Sequence, residues 1–510
     1  MTRYCCLIVA VFGLLGTSAG LSVAATDEII SQPVAATHGL ARGWMVQMDM
    51  NRSRSCLRDL VLHEGVIYAQ TNRGLIQAYD AETGKPVWDV PRQVGNPDFP
   101  SSAIAVGGDL LAVTNGSRLY VLNRHNGALL WDDEVAGAPS AQLAVGDMCV
   151  YVPVYNGSVL AYRLKPEGEF AKKKPAPKSK SKSAAPVEEP TEPPSINDLR
   201  LSQSKAPPLV CPGDGKAMVV PVVIHKPDAI EEVVWPTDQG YLYTGLNDRE
   251  ANHFQVKSRM ESGAEIVAPA TYLPPDPKVR KDFGLVFTVS RDGYVYAVNE
   301  ATGDAVWRFA AGEPVVQPAA VVETDLYVTT ELGGMYCLDA PTGTRKWWTP
   351  DAAQFVAASK QRVYAADKYD HLLVIDAKTG SRLDSISLAA LPIRLFNAQT
   401  DRMFLASEGG LIQSLHEEGL PQPLLHGEDR KKPPEKPVVE EEEKPKPKPV
   451  THKPAGERPT PKPRPKAEPK PKPEPKAKVA KPLRGSRKAK AGAGGAGDNP
   501  FGGGGGGGNN

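Results

Sequence analysis

Three aspartates are the side chains of this chain whose type and spacing best suit a cation site. Asp80, Asp339 and Asp376 each occupy the same position of a repeated phrase, and carboxylate oxygens are preferred ligands of Ca²⁺. A ring of such groups could hold a calcium ion. An aspartate just before a Thr-Gly pair also accepts hydrogen bonds from the amides of a tight turn. Because recurrence at one turn position is what capping predicts, we interpret all three as turn caps.

Tryptophans recur in the same phrase and could form an aromatic ligand cage. Four of them follow the turn at similar spacing: Trp88, Trp131, Trp307 and Trp347. A buried tryptophan removes about 150–250 Å² from water and so holds neighbouring elements together. We interpret these side chains as packing residues between repeats, with no role in catalysis.

Histidine and cysteine patterns give weak support for a reaction. The nine histidines are scattered, and neither a Cys-x-x-Cys-His haem motif nor a His-Glu-x-x-His zinc motif occurs. Beyond the N-terminal segment lie four cysteines: Cys56, Cys149, Cys211 and Cys337. An oxidising compartment would permit a disulfide, and its pairing stays open. Cys149 and Cys337 fall on predicted strands, which favours packing as small buried apolar residues.

The repeated phrase shows which elements must position these residues. It reads AYDAETGKPVW over residues 78–88, AVNEATGDAVW over 297–307 and CLDAPTGTRKW over 337–347, with looser copies over 121–131 and 374–384. Alternating apolar residues predict a strand before the turn. Asn299 replaces the aspartate in one copy. One glycine per copy supplies the positive φ of the hairpin: Gly84, Gly303, Gly343 and Gly380.

About eight such strand pairs follow one another, from VIYAQ and LIQAYD to MFLAS and LIQSL. Most pairs are preceded by an additional apolar segment, and each turn is followed by a further strand. The count is therefore about four strands per unit. This is the content of a propeller blade. We therefore predict an all-β fold, an eight-bladed β-propeller of four-stranded antiparallel blades, over residues 43–426.

Closure of the ring requires a strand that joins its two ends, because an open ring would leave unpaired edges. Trp44 to Met48 resembles the strand that follows the turn in later repeats. We expect it to be the fourth strand of the eighth blade, paired beside Leu411 to Leu415. The competing candidate for that position is Pro423 to Leu425.

The N-terminal 25 residues have the features of a secretory signal peptide. They contain Arg3, an apolar run too short to span a bilayer comfortably, and the small residues Val23-Ala24-Ala25. Residues 26–42 show no periodic pattern and are interpreted as a lead-in. Cys5 and Cys6 lie too early for lipid attachment. We expect an exported protein of the periplasm or cell envelope without a transmembrane segment.

Two stretches cannot supply a packed core. Residues 165–208 are rich in Lys, Pro, Ser and Glu and predict a disordered insertion in blade 3, while residues 427–510 predict a disordered Lys/Pro-rich and Gly-rich tail. From Lys444 to Lys490 there are 17 basic and 3 acidic residues, so the overall charge of +1 leaves about −13 elsewhere. The basic tail could bind an anionic surface.

The Ala-x-Asp-x-x-Thr-Gly-x-x-x-Trp phrase of residues 78–88 resembles the docking motif of the PQQ-like β-propeller repeat family. That family contains the quinoprotein alcohol dehydrogenases and the propeller subunit of the outer-membrane β-barrel assembly machinery. The resemblance implies the propeller fold and is poor evidence for activity. In the quinoproteins it implies adjacent cysteines over the quinone and acidic and amide ligands for Ca²⁺. The adjacent pair here, Cys5 and Cys6, lies within the predicted signal peptide.

These observations favour a non-enzymatic scaffold, without a cofactor, that binds a protein or peptide partner in the bacterial cell envelope. The family resemblance implies a role in outer-membrane protein assembly. The alternative is a periplasmic oxidoreductase with an atypical site, dependent on PQQ and Ca²⁺. Nucleic-acid binding by the tail is disfavoured by export, by the interleaved prolines and by the absence of interleaved aromatic residues.

Overall fold

A computed structural model describes residues 29–164, 207–217, 219–226, 230–248, 251–275 and 283–427. The predicted signal peptide, the Lys/Pro/Ser/Glu insertion up to residue 206 and the tail from residue 428 lie outside the described residues. The described chain forms eight four-stranded antiparallel sheets and one short helix, α1 (Gln32–Thr37). The predicted fold class, an eight-bladed propeller, is confirmed.

The first four blades follow the chain in order, each with its innermost strand first. Blade 1 contains β2 (Leu57–His63), β3 (Val66–Thr71), β4 (Leu75–Asp80) and β5 (Arg92–Gln93). Blade 2 contains β6 (Ala105–Gly107), β7 (Leu110–Asn115), β8 (Arg118–Asn123) and β9 (Leu129–Glu134). Blade 3 contains β10 (Ala144–Val145), β11 (Cys149–Pro153), β12 (Val159–Arg163) and β13 (Leu209–Cys211). Blade 4 contains β14 (Val222–Lys226), β15 (Ile230–Pro236), β16 (Tyr241–Asp248) and β17 (His253–Glu261).

The last four blades continue the series, and the final one takes a strand from the other end of the chain. Blade 5 contains β18 (Thr271–Leu273), β19 (Leu285–Val289), β20 (Tyr294–Asn299) and β21 (Ala305–Ala310). Blade 6 contains β22 (Ala320–Val322), β23 (Asp325–Thr329), β24 (Gly334–Asp339) and β25 (Arg345–Pro350). Blade 7 contains β26 (Gln354–Ala358), β27 (Arg362–Ala366), β28 (His371–Asp376) and β29 (Arg382–Ser387). Blade 8 contains β30 (Ile393–Arg394), β31 (Met403–Ala406), β32 (Leu411–Glu417) and β1 (Leu40–Gln47).

Strand β1 closes the ring. It pairs antiparallel with β32, with Trp44 opposite Ser414 and Gln47 opposite Leu411, so the predicted pairing is confirmed. The competing segment does not take this position, because Leu425 forms an isolated bridge with Thr400 instead. Strand β1 begins at Leu40, three residues before the predicted start of the propeller at residue 43.

The cores lie between blades. One apolar cluster joins Tyr68, Ile76 and Trp88 of blade 1 to Leu111 and Val113 of blade 2. Each blade packs against a neighbour on both of its faces, so the middle strands are buried on both sides and β4 has four consecutive buried residues. Successive side chains of these strands point to opposite faces of the sheet. Alternate residues therefore contact different neighbouring blades.

Consecutive antiparallel strands place their connections at opposite ends of a sheet. The turn between the third and fourth strands, which contains the repeated phrase, lies at the same end as the turn between the first and second strands. We name this end the phrase face. The loop between the second and third strands and the crossover to the next blade lie at the opposite end, which we name the crossover face.

Candidate functional site

The acidic residue of the repeated phrase caps its own turn. An oxygen of Asp80 accepts hydrogen bonds from the amide of Thr83 at 2.8 Å and from the Thr83 hydroxyl at 2.6 Å. Asp376 contacts the amide and hydroxyl of Thr379 in the same way, both at 2.8 Å. The hydrogen bonds to Thr379 hold the pKa of Asp376 below its usual value.

Two further copies of the phrase are capped similarly. Asn299 accepts from the amide of Ala301 at 2.8 Å, and Asp339 accepts from the hydroxyl of Thr342 at 2.7 Å. These groups lie in separate blades and each is engaged with its own turn. The structure does not bring the recurrent aspartates together around a common point.

In four of the five copies, the glycine of the phrase makes room for a tryptophan of the preceding blade. A Cβ atom placed on Gly84 would lie 2.6 Å from the ring of Trp44, which belongs to blade 8. Gly343 has the same relation to Trp307, and Gly380 to Trp347, again at 2.6 Å. All three glycines also have the positive φ of the predicted hairpin, between 68° and 72°. The glycine therefore serves the turn and the contact between blades.

Each of these tryptophans also donates its indole N–H to the turn on which it packs. The acceptor is the carbonyl three residues before the glycine: Trp44 to Ala81 at 2.7 Å, Trp88 to Arg124 at 2.8 Å, Trp307 to Ala340 at 3.2 Å and Trp347 to Ala377 at 2.8 Å. Trp88 packs on Gly127, the glycine of the looser copy in blade 2. Trp131 belongs to an apolar cluster with Tyr162 and Leu164 of blade 3.

The contact between blades 4 and 5 uses a lysine in place of the tryptophan. Ser258 occupies the ring's position, 2.4 Å from a Cβ placed on Gly303. The ammonium of Lys257 donates to the carbonyl of Glu300 at 3.0 Å, the position that the indole N–H contacts elsewhere. It also pairs at 2.5 Å with Glu232, whose side chain is buried. Sequence reasoning missed this substitution.

We expect the substitution Lys257→Met to lower the free energy of unfolding by about 2 kcal/mol, because it leaves the buried Glu232 carboxylate without this cation. Lys257 is partly exposed, so the effect is smaller than for a fully buried pair. Urea denaturation checks the value. The exposed Lys360 offers a matched control, since Lys360→Met should change stability by less than about 0.5 kcal/mol. Equal effects of the two substitutions would contradict the assigned contact.

The N-terminal segment completes the contact between blades 7 and 8. Asp384 occupies the tryptophan position of blade 7 and pairs with Nδ1 of His38 at 2.6 Å. Ile30 and Ala35 lie in an apolar cluster with side chains of both blades. Helix α1 begins after the N-cap residue Ser31. The segment interpreted from sequence as a lead-in is thus packed into the propeller.

The pairing with His38 gives a pH-dependent contribution to stability. The hydrogen bond from His38 lowers the pKa of Asp384 below its ordinary value of 3.8, so the contribution is present above that pH and is lost as the pH falls through the lowered pKa. Because Asp384 is partly exposed, we expect His38→Ala to cost about 0.5–1 kcal/mol near pH 6. Urea denaturation at several pH values should show this difference shrink below pH 4. A pH-independent difference would contradict the assignment.

One group of three side chains could hold a metal ion among the described residues. Donor atoms of Asp147, His225 and Glu231 lie within 4.8 Å of one another on the phrase face. The Glu231 carboxylate already accepts hydrogen bonds from the amides of Asp147 and Met148 at 2.5 and 3.2 Å and from the Tyr151 hydroxyl at 2.5 Å. These contacts describe a structural carboxylate that joins blades 3 and 4.

The described cysteines lie apart from one another on separate elements. None of the four cysteines in the described residues forms a disulfide. Cys149, Cys211 and Cys337 lie on β11, β13 and β24 and are buried. Burial raises the pKa of Cys211 and of Cys337 to about 12, which keeps both as unreactive thiols.

The crossover face carries the most exposed large apolar side chains. Tyr369 is 68% exposed and Leu332 is 65% exposed, and both lie at tips of loops between second and third strands. Tyr155 is 55% exposed in the equivalent loop of blade 3, and Phe99 is 55% exposed in the crossover from blade 1 to blade 2. Exposed aromatic and aliphatic tips of this kind are typical of protein-binding surfaces.

Charged groups surround these tips. The Lys216 ammonium lies 4.2 Å from the centre of the Tyr155 ring, and Lys368 lies 5.8 Å from that of Tyr369. Ion pairs join Arg73 to Asp98 at 3.3 Å and Arg291 to Glu265 at 2.9 Å on the same face. Aromatic anchors within a polar, charged rim are the usual composition of a protein interface.

The loop that presents Tyr369 is held by a buried polar contact. One oxygen of Asp367 accepts the amides of Tyr369 and His371, both at 2.8 Å. Burial opposes ionisation of Asp367, but these amides and the His371 ring lower its pKa below the usual value. A fixed loop loses little conformational entropy on binding, so the Tyr369 tip is preorganised. Sequence reasoning missed all four tips.

The eight four-stranded blades, with a tryptophan docked on a turn glycine at four of the contacts between them, define the class of the protein as a PQQ-like β-propeller. Its sequence matches the family described as "Outer membrane protein assembly factor BamB" over residues 44–187 and 287–399, just over half of the 510 residues. The chain therefore belongs to that family.

Individual relatives agree with this assignment. The outer membrane protein assembly factor BamB of Yersinia pestis is 30% identical over 106 residues, which are 19% of this chain and 26% of that protein. The chain thus spans about a quarter of the length of the curated relative that it matches.

The solved structures that resemble the chain show the fold alone. BamB from Moraxella catarrhalis superposes with a TM-score of 0.51 at 13% identity, covering 74% of this chain and 97% of that one. Sqt1 from Saccharomyces cerevisiae superposes with a TM-score of 0.50 at 10% identity, covering 71% and 95%. Among the described residues, no helix has the length and apolar character needed to cross a lipid bilayer.

Proposed function

We propose that this protein is an exported, non-enzymatic scaffold of the bacterial cell envelope that binds a protein or peptide partner through its crossover face, in the assembly of outer-membrane proteins. Membership of the family described as an outer membrane protein assembly factor supports the process. The four exposed tips of the crossover face support the surface. They are the single observation that carries the proposal.

The use of the recurrent side chains supports a role without catalysis. The Asp, Gly and Trp residues of the phrase are engaged in turn caps and contacts between blades. The described cysteines lie on separate elements, whereas the quinoprotein pattern contains an adjacent pair. We expect mixing with PQQ and Ca²⁺ to give neither bound quinone absorbance nor reduction of an electron-acceptor dye. A quinone spectrum with dye reduction would favour the oxidoreductase.

Affinity capture from envelope extract tests the binding surface. The variant carries Phe99→Ser, Tyr155→Ser, Leu332→Ser and Tyr369→Ser. A matched control carries Val306→Ser, Trp348→Ser and Leu383→Ser, which replace exposed apolar side chains on outer strands. We expect the unmodified protein and the control to retain components of outer-membrane protein assembly, and the face variant to retain at least about tenfold less.

The melting temperature of each variant accompanies the capture. Both sets of substitutions are at exposed positions, so we expect both variants to melt within a few degrees of the unmodified protein. Retention of the same proteins by the face variant and the unmodified protein would overturn the proposed surface. Loss of the same proteins by the outer-strand control would move the binding site to the rim of the propeller.

A further inference from the structure

A groove lies on the crossover face where the crossover from blade 1 meets blade 2. Its volume is about 490 Å³, within the usual range for sites that hold a small ligand or a few residues of a peptide. Its wall includes Phe99 from the crossover, Tyr120 from β8 and Glu134 from the end of β9. The groove therefore combines two aromatic rings with a carboxylate.

The aromatic wall is open to a partner. The Phe99 ring is more than half exposed and lies over Gly116, where an added Cβ would be 3.6 Å from the ring. Tyr120 is half-buried beside it in the lining. Aromatic grooves of this kind bind proline-rich peptides, because the polyproline II conformation is already extended and loses little entropy on docking.

A buried asparagine fixes the position of Phe99. The Asn115 amide donates to the carbonyls of Asn96 and Phe99, both at 3.0 Å, and its oxygen accepts the Asn96 amide at 2.9 Å. Asn115 is 3% exposed, so this contact is shielded from water. The groove is thus formed before a ligand arrives.

The charge beside the groove is acidic. Strand β9 ends with Asp132, Asp133 and Glu134, while the neighbouring Arg118 pairs with Asp132. Arg118 and Glu134 both line the groove, while Asp132 and Asp133 lie beside it. Because the Arg118 guanidinium is paired with Asp132, the Glu134 carboxylate is left to face a ligand. A cationic side chain on the ligand would therefore be favoured.

We propose that this groove binds an extended, proline-rich peptide that carries lysine or arginine. The proposal rests on the proposed function, and it names the class of peptide that this part of the crossover face recognises. Proline rings would pack on Phe99 and Tyr120, and a cationic side chain would pair with Glu134. The chain itself contains sequences of this composition, such as PKPRPKAEPK over residues 461–470.

The test is a titration of the full chain with a fluorescently labelled PKPRPKAEPK peptide, read by anisotropy. A parallel titration uses a chain whose prolines between residues 445 and 477 are alanine, so that its own sequence cannot compete. Two matched peptides separate the contributions: AKARAKAEAK lacks the prolines, and PQPQPQAEPQ lacks the cations. We expect both to bind at least about fivefold more weakly than the parent peptide.

Groove variants locate the binding. We expect Phe99→Ala to weaken binding about tenfold or more, and Glu134→Gln to weaken it about threefold with a smaller dependence on salt. Val306→Ala, on the outer strand β21 of blade 5, should leave binding unchanged. Phe99, Glu134 and Val306 are all exposed, so each variant should keep the melting temperature of the parent chain.

Several results would overturn the proposal. These are no binding of the parent peptide to either chain, equal binding of AKARAKAEAK, or unchanged binding after Phe99→Ala. Equal binding of AKARAKAEAK would indicate attraction by charge alone. The proposed function would survive such failures if the four-residue face variant still lost its envelope partners, and it would fail separately if peptide binding were found while that variant kept them.

Discussion

Replacing Trp88 by alanine should lower the free energy of unfolding by about 3–5 kcal/mol. The Trp88 side chain is 1% exposed and packs on Gly127 of the next blade, so the substitution leaves a cavity at a contact between blades. It also removes the 2.8 Å hydrogen bond from the indole to the Arg124 carbonyl. Urea denaturation followed by far-ultraviolet circular dichroism measures the loss.

A second tryptophan provides the control for this result. Trp348 lies on the outer strand β25 and is 49% exposed. We expect Trp348→Ala to lower the free energy of unfolding by less than about 1 kcal/mol. Truncating an exposed side chain leaves little cavity and changes little of the apolar surface that is removed from water. Equal losses for Trp88→Ala and Trp348→Ala, or a fully stable Trp88→Ala protein, would contradict the role of Trp88 in packing.

Replacing Gly84 by alanine should lower the free energy of unfolding by about 3 kcal/mol. Two physical effects contribute to this loss of stability. A Cβ at φ +68° is strained, and the same atom would approach the Trp44 ring to 2.6 Å. Since Trp44 lies on the strand that closes the ring, relief of this clash must move the first blade away from the last. Thermal and urea denaturation both report the change.

Gly312 separates the two causes. Its φ is +80°, but no atom lies within 4 Å of a Cβ placed there. Gly312→Ala should therefore show the backbone strain alone, about 1 kcal/mol. If Gly312→Ala and Gly84→Ala cost the same, the contact of Gly84 with Trp44 adds nothing to stability and the docking of Trp44 on Gly84 loses its support.

The blades could be predicted from the sequence because their determinants are local. The capping side chain, the positive-φ glycine and the strand alternation all lie within about ten residues, and each acts on its own turn. Asp376 and Gly380 therefore mark a blade even though that copy has lost its tryptophan. The closing strand β1 was also predictable, because the propeller needs a partner for its last edge.

The contacts between blades were harder to predict from the sequence. Nothing near Gly84 in the sequence indicates that Trp44 will occupy the space beside it, because the two residues meet only after the ring has closed. Lys257 and Ser258 interrupt the pattern without a local marker, since neither residue type is unusual on an outer strand. The turn of Gly303 without a tryptophan on the fourth strand of the preceding blade was the available signal.

The candidate binding surface could not be predicted from residue type. Phe99 and Phe287 are the same residue, yet Phe99 is 55% exposed and Phe287 is 1% exposed. Burial depends on where a loop runs over the folded blades, and loops lack the periodicity that marks strands. Helix α1 was not predicted for a related reason, because six residues are too few to show a helical period.

The coupling between Trp44 and Gly84 tests the central claim most directly, namely that tryptophans dock on glycines of the following blade to shut the ring. A double-mutant cycle with Trp44→Ala and Gly84→Ala measures it by urea denaturation. We expect the second substitution to cost about 1–2 kcal/mol less in the absence of Trp44, because the clash with the ring is gone. Strictly additive losses would contradict the claim.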